Sequence, residues 1–432
     1  MLFRSVFVEV TGVYTNTAPV DAYRGAGRPE ANYVGERLID AAARELGISP
    51  AELRRRNFIP PAAMPYTTAL GLVYDSGEFQ RNLDDAVKAA DWAGFAARQA
   101  ESAKRGKLRG IGLASYIEAC GGGPEETAQI RFDAVGGVTV MVGNQSNGQG
   151  HETAYAQIVA DRLGVEFENV RVVQGDTDVI VYSGFTGGSR ALPVGGSAVV
   201  GASERIVAKG KKLAAHLLEA AEADIEFKDG TFSVAGTDKT KTIVEVAAAA
   251  FDSRKRPREL SPGLDEAETC VPPAPTFPNG CHVAEVEVDP GTGVVDIVRY
   301  TIVDDFGHTI NPLLLAGQVH GGCVQGIGQA LYEGIVYDPS GQLLTGSFTD
   351  YCMPRADAVP PFAFAYNEIA CKSNVLGIKG AGEAGAIGAP PAIINAVVDA
   401  LSGLGVRHVD MPATPEKIWR AIQAAGTARA AE

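Results

Sequence analysis

Cysteine is scarce in this sequence and poorly spaced for holding metal. Six residues in 432 (Cys120, Cys270, Cys281, Cys323, Cys352 and Cys371) are scattered without a single C-x-x-C pair. Their spacing supplies no iron–sulfur or zinc framework, and they read as reduced, mostly packing thiols of a cytoplasmic protein. Positive charge is also short. Lys plus Arg total 38 against 52 Asp plus Glu, a net charge of −14, which disfavours nucleic acid as a partner. No run approaches the roughly 20 apolar residues of a membrane span. The opening Met-Leu-Phe-Arg-Ser-Val-Phe-Val-Glu-Val has neither a long apolar region nor a small-residue cleavage site. Glycine is what the chain has in excess: 51 residues, with hydrophobic content at 46% and charged content at 21%. Ordinary apolar content with surplus glycine suits many tight loops better than disorder. The length allows two or three cores.

The densest glycine stretch runs from Gly377 to Leu401 and contains a single carboxylate, Glu383. Gly380, Gly382, Gly385 and Gly388 let backbone approach a ligand closely. Pro390 and Pro391 are expected to open a helix with Ile393, Ile394, Val397, Val398 and Leu401 on one face. A glycine loop feeding a helix start offers N–H groups and a favourable dipole to an anion. Gly380, Gly382 and Gly385 also fit the dinucleotide fingerprint G-x-G-x-x-G. That reading is disfavoured, because Glu383 would sit where a pyrophosphate belongs and no strand–acid unit follows.

Earlier in the chain, Phe7 to Tyr14 alternates like a strand. A glycine loop, Ala22 to Arg28, then precedes a helix carrying Tyr33, Leu38 and Leu46 and ending at Gly47. Arg24 and Arg28 flank the loop, for oxyanion contact or a loop-closing ion pair. Ser49-Pro-Ala-Glu52 has the form of a capping box, and Arg54-Arg55-Arg56 reads as a solvated helix end. Residues 57 to 106 form a connector with a polar helix over Leu83 to Trp92, and Lys104 to Arg109 marks a boundary. Strands follow over 110–118, 128–133 and 138–142. Gly143 to Thr153 is a third glycine loop, with His151 in the first turn of a helix, better read as a satisfied polar residue or phosphate donor than as a metal ligand. A strand over 170–173, a fourth loop around Phe185 to Gly196 and an Ala-rich helix to about Glu222 come next. A hairpin, 283–288 with 294–303, leads to Asp304-Asp305 and Asn311-Pro312. The helix beyond carries Gly317, Gly321, Gly322, Gly326 and Gly328. Each glycine there costs up to about 1 kcal/mol relative to Ala, so another backbone or a flat ligand is expected against it. Gln318, Gln325 and Gln329 offer amides. Five glycine loops feeding helix starts, unequally spaced, suggest one extended anionic cofactor held by several segments.

Taken jointly, Ala22-Tyr-Arg-Gly-Ala-Gly-Arg28, Gly148-Gln-Gly-His151-Glu-Thr153, Gly175-Asp-Thr-Asp178, Gly188-Ser-Arg190, Asp304-Asp305 through Asn311-Pro312, and Lys379-Gly-Ala-Gly-Glu383-Ala-Gly resemble the molybdopterin-binding large subunit of molybdenum hydroxylases. This is the family of xanthine dehydrogenase, aldehyde oxidase and aerobic carbon monoxide dehydrogenase, and the resemblance covers essentially residues 7 to 425. It implies an α+β fold of mixed sheets with helices started by glycine-rich loops. Residues 1–106 would be the C-terminal part of a first molybdopterin-binding domain plus connector, and 107–425 a second such domain.

The resemblance also implies roles. Glu383 matches the general base beside molybdenum, poised by burial to accept a proton. Arg24, Gly25 and Ala26 match the loop facing substrate and metal. Gly148, Gln149, Gly150, His151 and Thr153, then Thr186, Gly187, Gly188, Ser189 and Arg190, match cofactor contacts, as do Asp305, Gln318, Lys379, Gly380, Ala381 and Gly382. No side chain of this chain is assigned as a metal ligand. The implied cofactor is molybdopterin with molybdenum, in the cytosine dinucleotide form usual in bacterial members. The implied reaction is oxidative hydroxylation of an aldehyde or N-heterocyclic carbon with water as oxygen source. Electrons would leave to an iron–sulfur ([2Fe-2S]) small subunit and an FAD medium subunit, since this chain has motifs for neither.

Two departures qualify the resemblance. Carbon monoxide dehydrogenases carry Cys in Ala-Tyr-Arg-Cys, where copper binds, whereas this chain has Gly25. The family's large subunit is also nearly twice as long, so an N-terminal half is expected as a separate chain or a missing part. Alternatives are a scaffold paralogue without catalysis, a carbon monoxide dehydrogenase-like subunit lacking copper, and an unrelated flavin or nicotinamide oxidoreductase.

Overall fold

One helix, α9 (Ala384–Ser402), lies at the centre of the molecule, with 17 of its residues buried. By length and composition it could cross a membrane, a property not apparent from the sequence, but 94% of its apolar window is packed inside the protein. It is a core helix. The computed structural model describes residues 7–431 apart from Val181; residues 1–6, which open the stretch read as free of a leader, lie outside the described residues.

Four strands form the sheet beneath α9: β3 (Leu108–Ile117), β11 (Asn279–Val288), β12 (Val295–Asp305) and β13 (Phe362–Asn367). β11 pairs antiparallel with β3 and β12, and β13 joins β12 in parallel. Every residue of β11 is buried, because helices cover both faces. α9 packs on one face, while α3 (Phe79–Ala89) and α4 (Phe95–Lys104) pack on the other. The approach is close enough to require glycine in β3: a Cβ on Gly112 would lie 2.5 Å from Ala392 O.

Two more helices clasp α9: α1 (Arg28–Leu46) and α8 (Pro312–Leu331). The glycines of α8 meet another backbone. A Cβ on Gly322 would lie 3.0 Å from Gly385 Cα, and one on Gly385 would lie 2.5 Å from Val319 O. Pro390 and Pro391 do not open the helix as expected, since α9 begins six residues earlier. Pro391 leaves the Ile387 carbonyl without its intrahelical donor. Asn32 of α1 supplies one, donating through Nδ2 at 3.2 Å. The neighbour across the groove is what lets the helix run through.

A second core is built on β10 (Glu266–Cys270), β4 (Glu126–Phe132), β5 (Val138–Val142) and β6 (Val170–Gln174), in that order across the sheet. α5 (His151–Leu163) and α6 (Ser197–Leu218) pack against it, and a one-turn π-helix at Ala191–Gly196 leads into α6. A small sheet, β7 (Ile225–Lys228), β8 (Thr231–Val234) and β9 (Thr240–Thr242), adjoins α7 (Ile243–Phe251). A two-stranded ribbon, β1 (Tyr66–Thr67) with β2 (Val73–Tyr74), and the terminal α10 (Pro415–Ala431) complete the described elements.

Two further expectations are corrected. Residues 7–14 form no strand, and Phe7, Val10 and Tyr14 are exposed; an alternating segment makes a strand only where a sheet edge is there to pair with it. Arg54 is not solvated. It follows the Ser49 cap of α2 (Pro50–Arg55), is 2% exposed, and pairs with buried Glu36 at 2.6 Å. Its Nη2 also donates to Leu113 O, tying α1 and α2 to β3. Removing one partner of such a pair costs about 3–5 kcal/mol, because the other charge stays buried.

Candidate active site

Glu383 is the N-cap residue of α9, but its carboxylate makes no capping bond. Two other loops hold it instead. Oε1 accepts the Gly25 N–H at 3.0 Å, and Oε2 accepts the Ser189 hydroxyl at 2.6 Å. Both loops reach it through left-handed backbone, with φ of 101° at Gly25 and 51° at Ser189. A non-glycine residue held there is strain of the kind that concentrates at functional sites.

The carboxylate borders a cavity of about 980 Å³. Its wall comes from loops far apart in sequence: Ala22–Arg28, Asn147–His151, Phe185–Pro193, Phe306–Asn311 and Ile378–Glu383, together with α8. α5 begins at this wall after a left-handed Gly150 and has no side-chain cap, so its first N–H groups remain for a ligand. A Cβ on Gly148 or Gly188 would meet no protein atom within 4 Å, so at both points backbone itself is the surface. His151 is buried, and burial lowers its pKa, so the ring is neutral at pH 7.

Most of the residues matched from sequence converge here, but several act from behind the wall. The Arg24 guanidinium is a clamp: it donates to Gly382 O, to Gln325 Oε1 at 2.8 Å, and to Gln318 O and Oε1 at 3.0 and 3.2 Å. These bonds join the Gly25 loop, α8 and the Glu383 loop, and neither an anion contact nor a loop-closing ion pair describes them. Arg190 lines the wall, but its guanidinium is buried on Glu126 at 2.8 Å and on the Phe185 and Pro124 carbonyls. Lys379 turns its ammonium inward to Asp305 at 2.5 Å, both side chains being fully buried. Asp305 and Thr153 do not border the cavity, and Gly25 reaches the site through its N–H alone. Lys379, Asp305 and Arg190 therefore brace the wall from behind, with their charges paired inside the protein.

Sequence reasoning passed over Glu118 and Cys120, which follow β3. One oxygen of Glu118, the Cys120 sulfur and one oxygen of Glu383 lie within 4.8 Å of one another. Burial first, and then the negative charge of Glu383, push the Glu118 pKa well above the usual carboxylate range. The signal was present: Glu118-Ala-Cys120-Gly-Gly-Gly sets an acid beside a glycine run, as the Glu383 stretch does.

Two models described as molybdopterin cofactor-binding domains match the sequence, over residues 3–58 and 85–360. The nicotine 6-hydroxylase large subunit of Paenarthrobacter nicotinovorans is 39% identical over 95% of this chain and 52% of its own length. The chain belongs to the molybdenum hydroxylase large-subunit family. The carbon monoxide dehydrogenase large chain of Hydrogenophaga pseudoflava is 37% identical over 96% of this chain and 53% of its own length. Among solved family structures, quinoline 2-oxidoreductase from Pseudomonas putida 86 superposes with a TM-score of 0.88 at 37% identity, covering 94% of this chain and 53% of that one. This member of the family thus spans about half the length of the curated relatives it matches.

Proposed function

We propose that this chain contributes the Glu383 half of the catalytic site in a molybdenum hydroxylase. It would act with the remaining half of the large subunit, supplied by a separate chain or by further sequence, and with iron–sulfur and FAD partner subunits that carry electrons away. The division into residues 1–106 and 107–425 as parts of two molybdopterin-binding domains belongs to the same reading. Supporting a molybdopterin in the large cavity are the uncapped start of α5, the bare backbone at Gly148 and Gly188, and the Ser189 and Lys379–Gly382 loops opposite. Cradles spread so widely suit a dinucleotide form of the cofactor better than a single phosphate. When bound, the cofactor supplies a metal that accepts the electrons of the oxidation.

The chain's own part is to position and to move a proton. Glu383 has both oxygens oriented by fixed donors from two different loops, so it presents an acceptor whose direction is set before substrate arrives. That double anchoring is the observation that carries the proposal. Tyr23 and Phe185 both line the cavity and give a flat, apolar place for an aldehyde or N-heterocyclic ring. The names of the nicotine and quinoline enzymes agree with the heterocyclic choice. Copper is disfavoured by packing as well as by residue type: a Cβ at position 25 would lie 2.5 Å from Pro29 Cγ and 3.2 Å from Ile387 Cγ1.

The test is Glu383→Gln in the assembled enzyme, assayed on quinoline and an aromatic aldehyde with an artificial electron acceptor. The expected result is unchanged molybdenum content with turnover lower by about 10²–10⁴-fold. Turnover within a few-fold of the parent would remove Glu383 from the role.

A further inference from the structure

Glu118 has no part in the chemistry assigned above, yet the structure places it against the residue that does. It follows β3, and its N–H donates to the Pro278 carbonyl at 2.9 Å. Its side chain therefore turns inward beneath the Glu383 loop. Glu118 is 2% exposed, and its Oε2 is buried without a hydrogen-bond partner. An ionised carboxylate left bare in this way would forfeit several kcal/mol of solvation. A carboxylic acid needs only one acceptor for its proton, and an oxygen of Glu383 lies within 4.8 Å of one of its own.

The Cys120 thiol favours the ionised form of Glu118, but ranks behind burial and Glu383. Cys120 is fully buried beside the pair, and its own pKa is pushed well up, first by burial and then by Glu118. Arg28 acts on Glu118 only as a weaker charge, behind burial and Glu383 in effect. Arg24 feels both carboxylates, but its donors are committed to Gly382, Gln318 and Gln325. A second carboxyl group this close further favours the neutral form of Glu118.

Resting on the reading of Glu383 as base, we propose that Glu118 is a positioning residue for it: a neutral carboxylic acid at pH 7 whose proton is shared with the Glu383 carboxylate. The pair then holds one proton at rest and two after Glu383 has accepted one from the cavity side. With the Gly25 N–H and the Ser189 hydroxyl, the Glu118 O–H completes a three-donor setting around Glu383. That setting orients the Glu383 carboxylate and leaves one of its four acceptor positions free.

Isotope-edited infrared spectroscopy of the natively assembled enzyme, with ¹³C-labelled glutamate and titrated across pH, tests this without requiring turnover. The expected spectrum at pH 7 contains a protonated-carboxyl band that disappears in Glu118→Gln. In Glu383→Gln the band is expected to persist at a shifted frequency, because its charged acceptor is gone. No protonated-carboxyl band at pH 7 in the parent enzyme, or a band unaffected by Glu118→Gln, overturns the proposal. So does a band that keeps its frequency in Glu383→Gln, since Glu118 would then be neutral but unshared. The parent and Glu383→Gln spectra decide the matter even where Glu118→Gln fails to fold. Failure of Glu383 as the base would appear instead as retained turnover in Glu383→Gln, with the infrared result unaffected.

Discussion

Glu118 links protonation to stability. The Glu118 pKa in the folded protein lies above the ordinary value of 4.5, chiefly through burial. Between that ordinary value and the raised one, the folded state binds a proton that the unfolded state has released. Stability therefore falls as pH rises through this window, by up to about 1.4 kcal/mol per pH unit for one group. Glu118→Gln removes the group, so its melting temperature relative to the parent should climb steadily from about pH 5 upward. A constant difference across that range would show Glu118 to be ionised in both states. Residue identity was legible in the sequence where a side chain faces the cavity, as with Glu383. It was not legible for Arg24, Arg190 and Lys379. Charge type suggests anion contact, and only the folded partners (Gln318 and Gln325, Glu126, Asp305) show that these cations are spent inside the protein.

At the scale of elements, the α8–α9 crossing decides where Glu383 stands, because the residue immediately precedes α9. Gly385→Ala would drive a methyl to 2.6 Å from Cys323 N and 2.5 Å from Val319 O, backbone atoms that cannot step aside. A loss of about 1–3 kcal/mol is expected, read as a lowered denaturation midpoint. Gly317→Ala on α8 meets no atom within 4 Å and should instead gain up to about 1 kcal/mol from helix propensity. Equal effects of the two substitutions would contradict the close crossing. The glycine content of α8 had signalled such an approach from sequence, and most helix and hairpin positions followed from periodicity and turn residues. The start of α9 did not, because proline was taken as a beginning. Asn32, 355 positions away in sequence, satisfies the carbonyl that the proline leaves open, and no local pattern encodes that pairing.

At the scale of the whole molecule, one run of exposed apolar side chains lies at the start of the described residues. Phe7, Val10, Tyr14 and Val20 stand outward in the segment before α1, and Val34 and Leu38 do so on α1 itself. Exposed apolar groups of this kind are what a contact with another protein would bury. The expected cover is the other half of the large subunit, packed where the Gly25 loop and α1 approach the cavity. The alternation of residues 7–14 was legible, while its meaning was not: it takes a partner edge to make a strand. The most direct measurement is elemental analysis of the natively purified assembly containing this chain, counting molybdenum and copper per copy. The expected result is close to one molybdenum per copy and no copper; an intact native assembly devoid of molybdenum would contradict it.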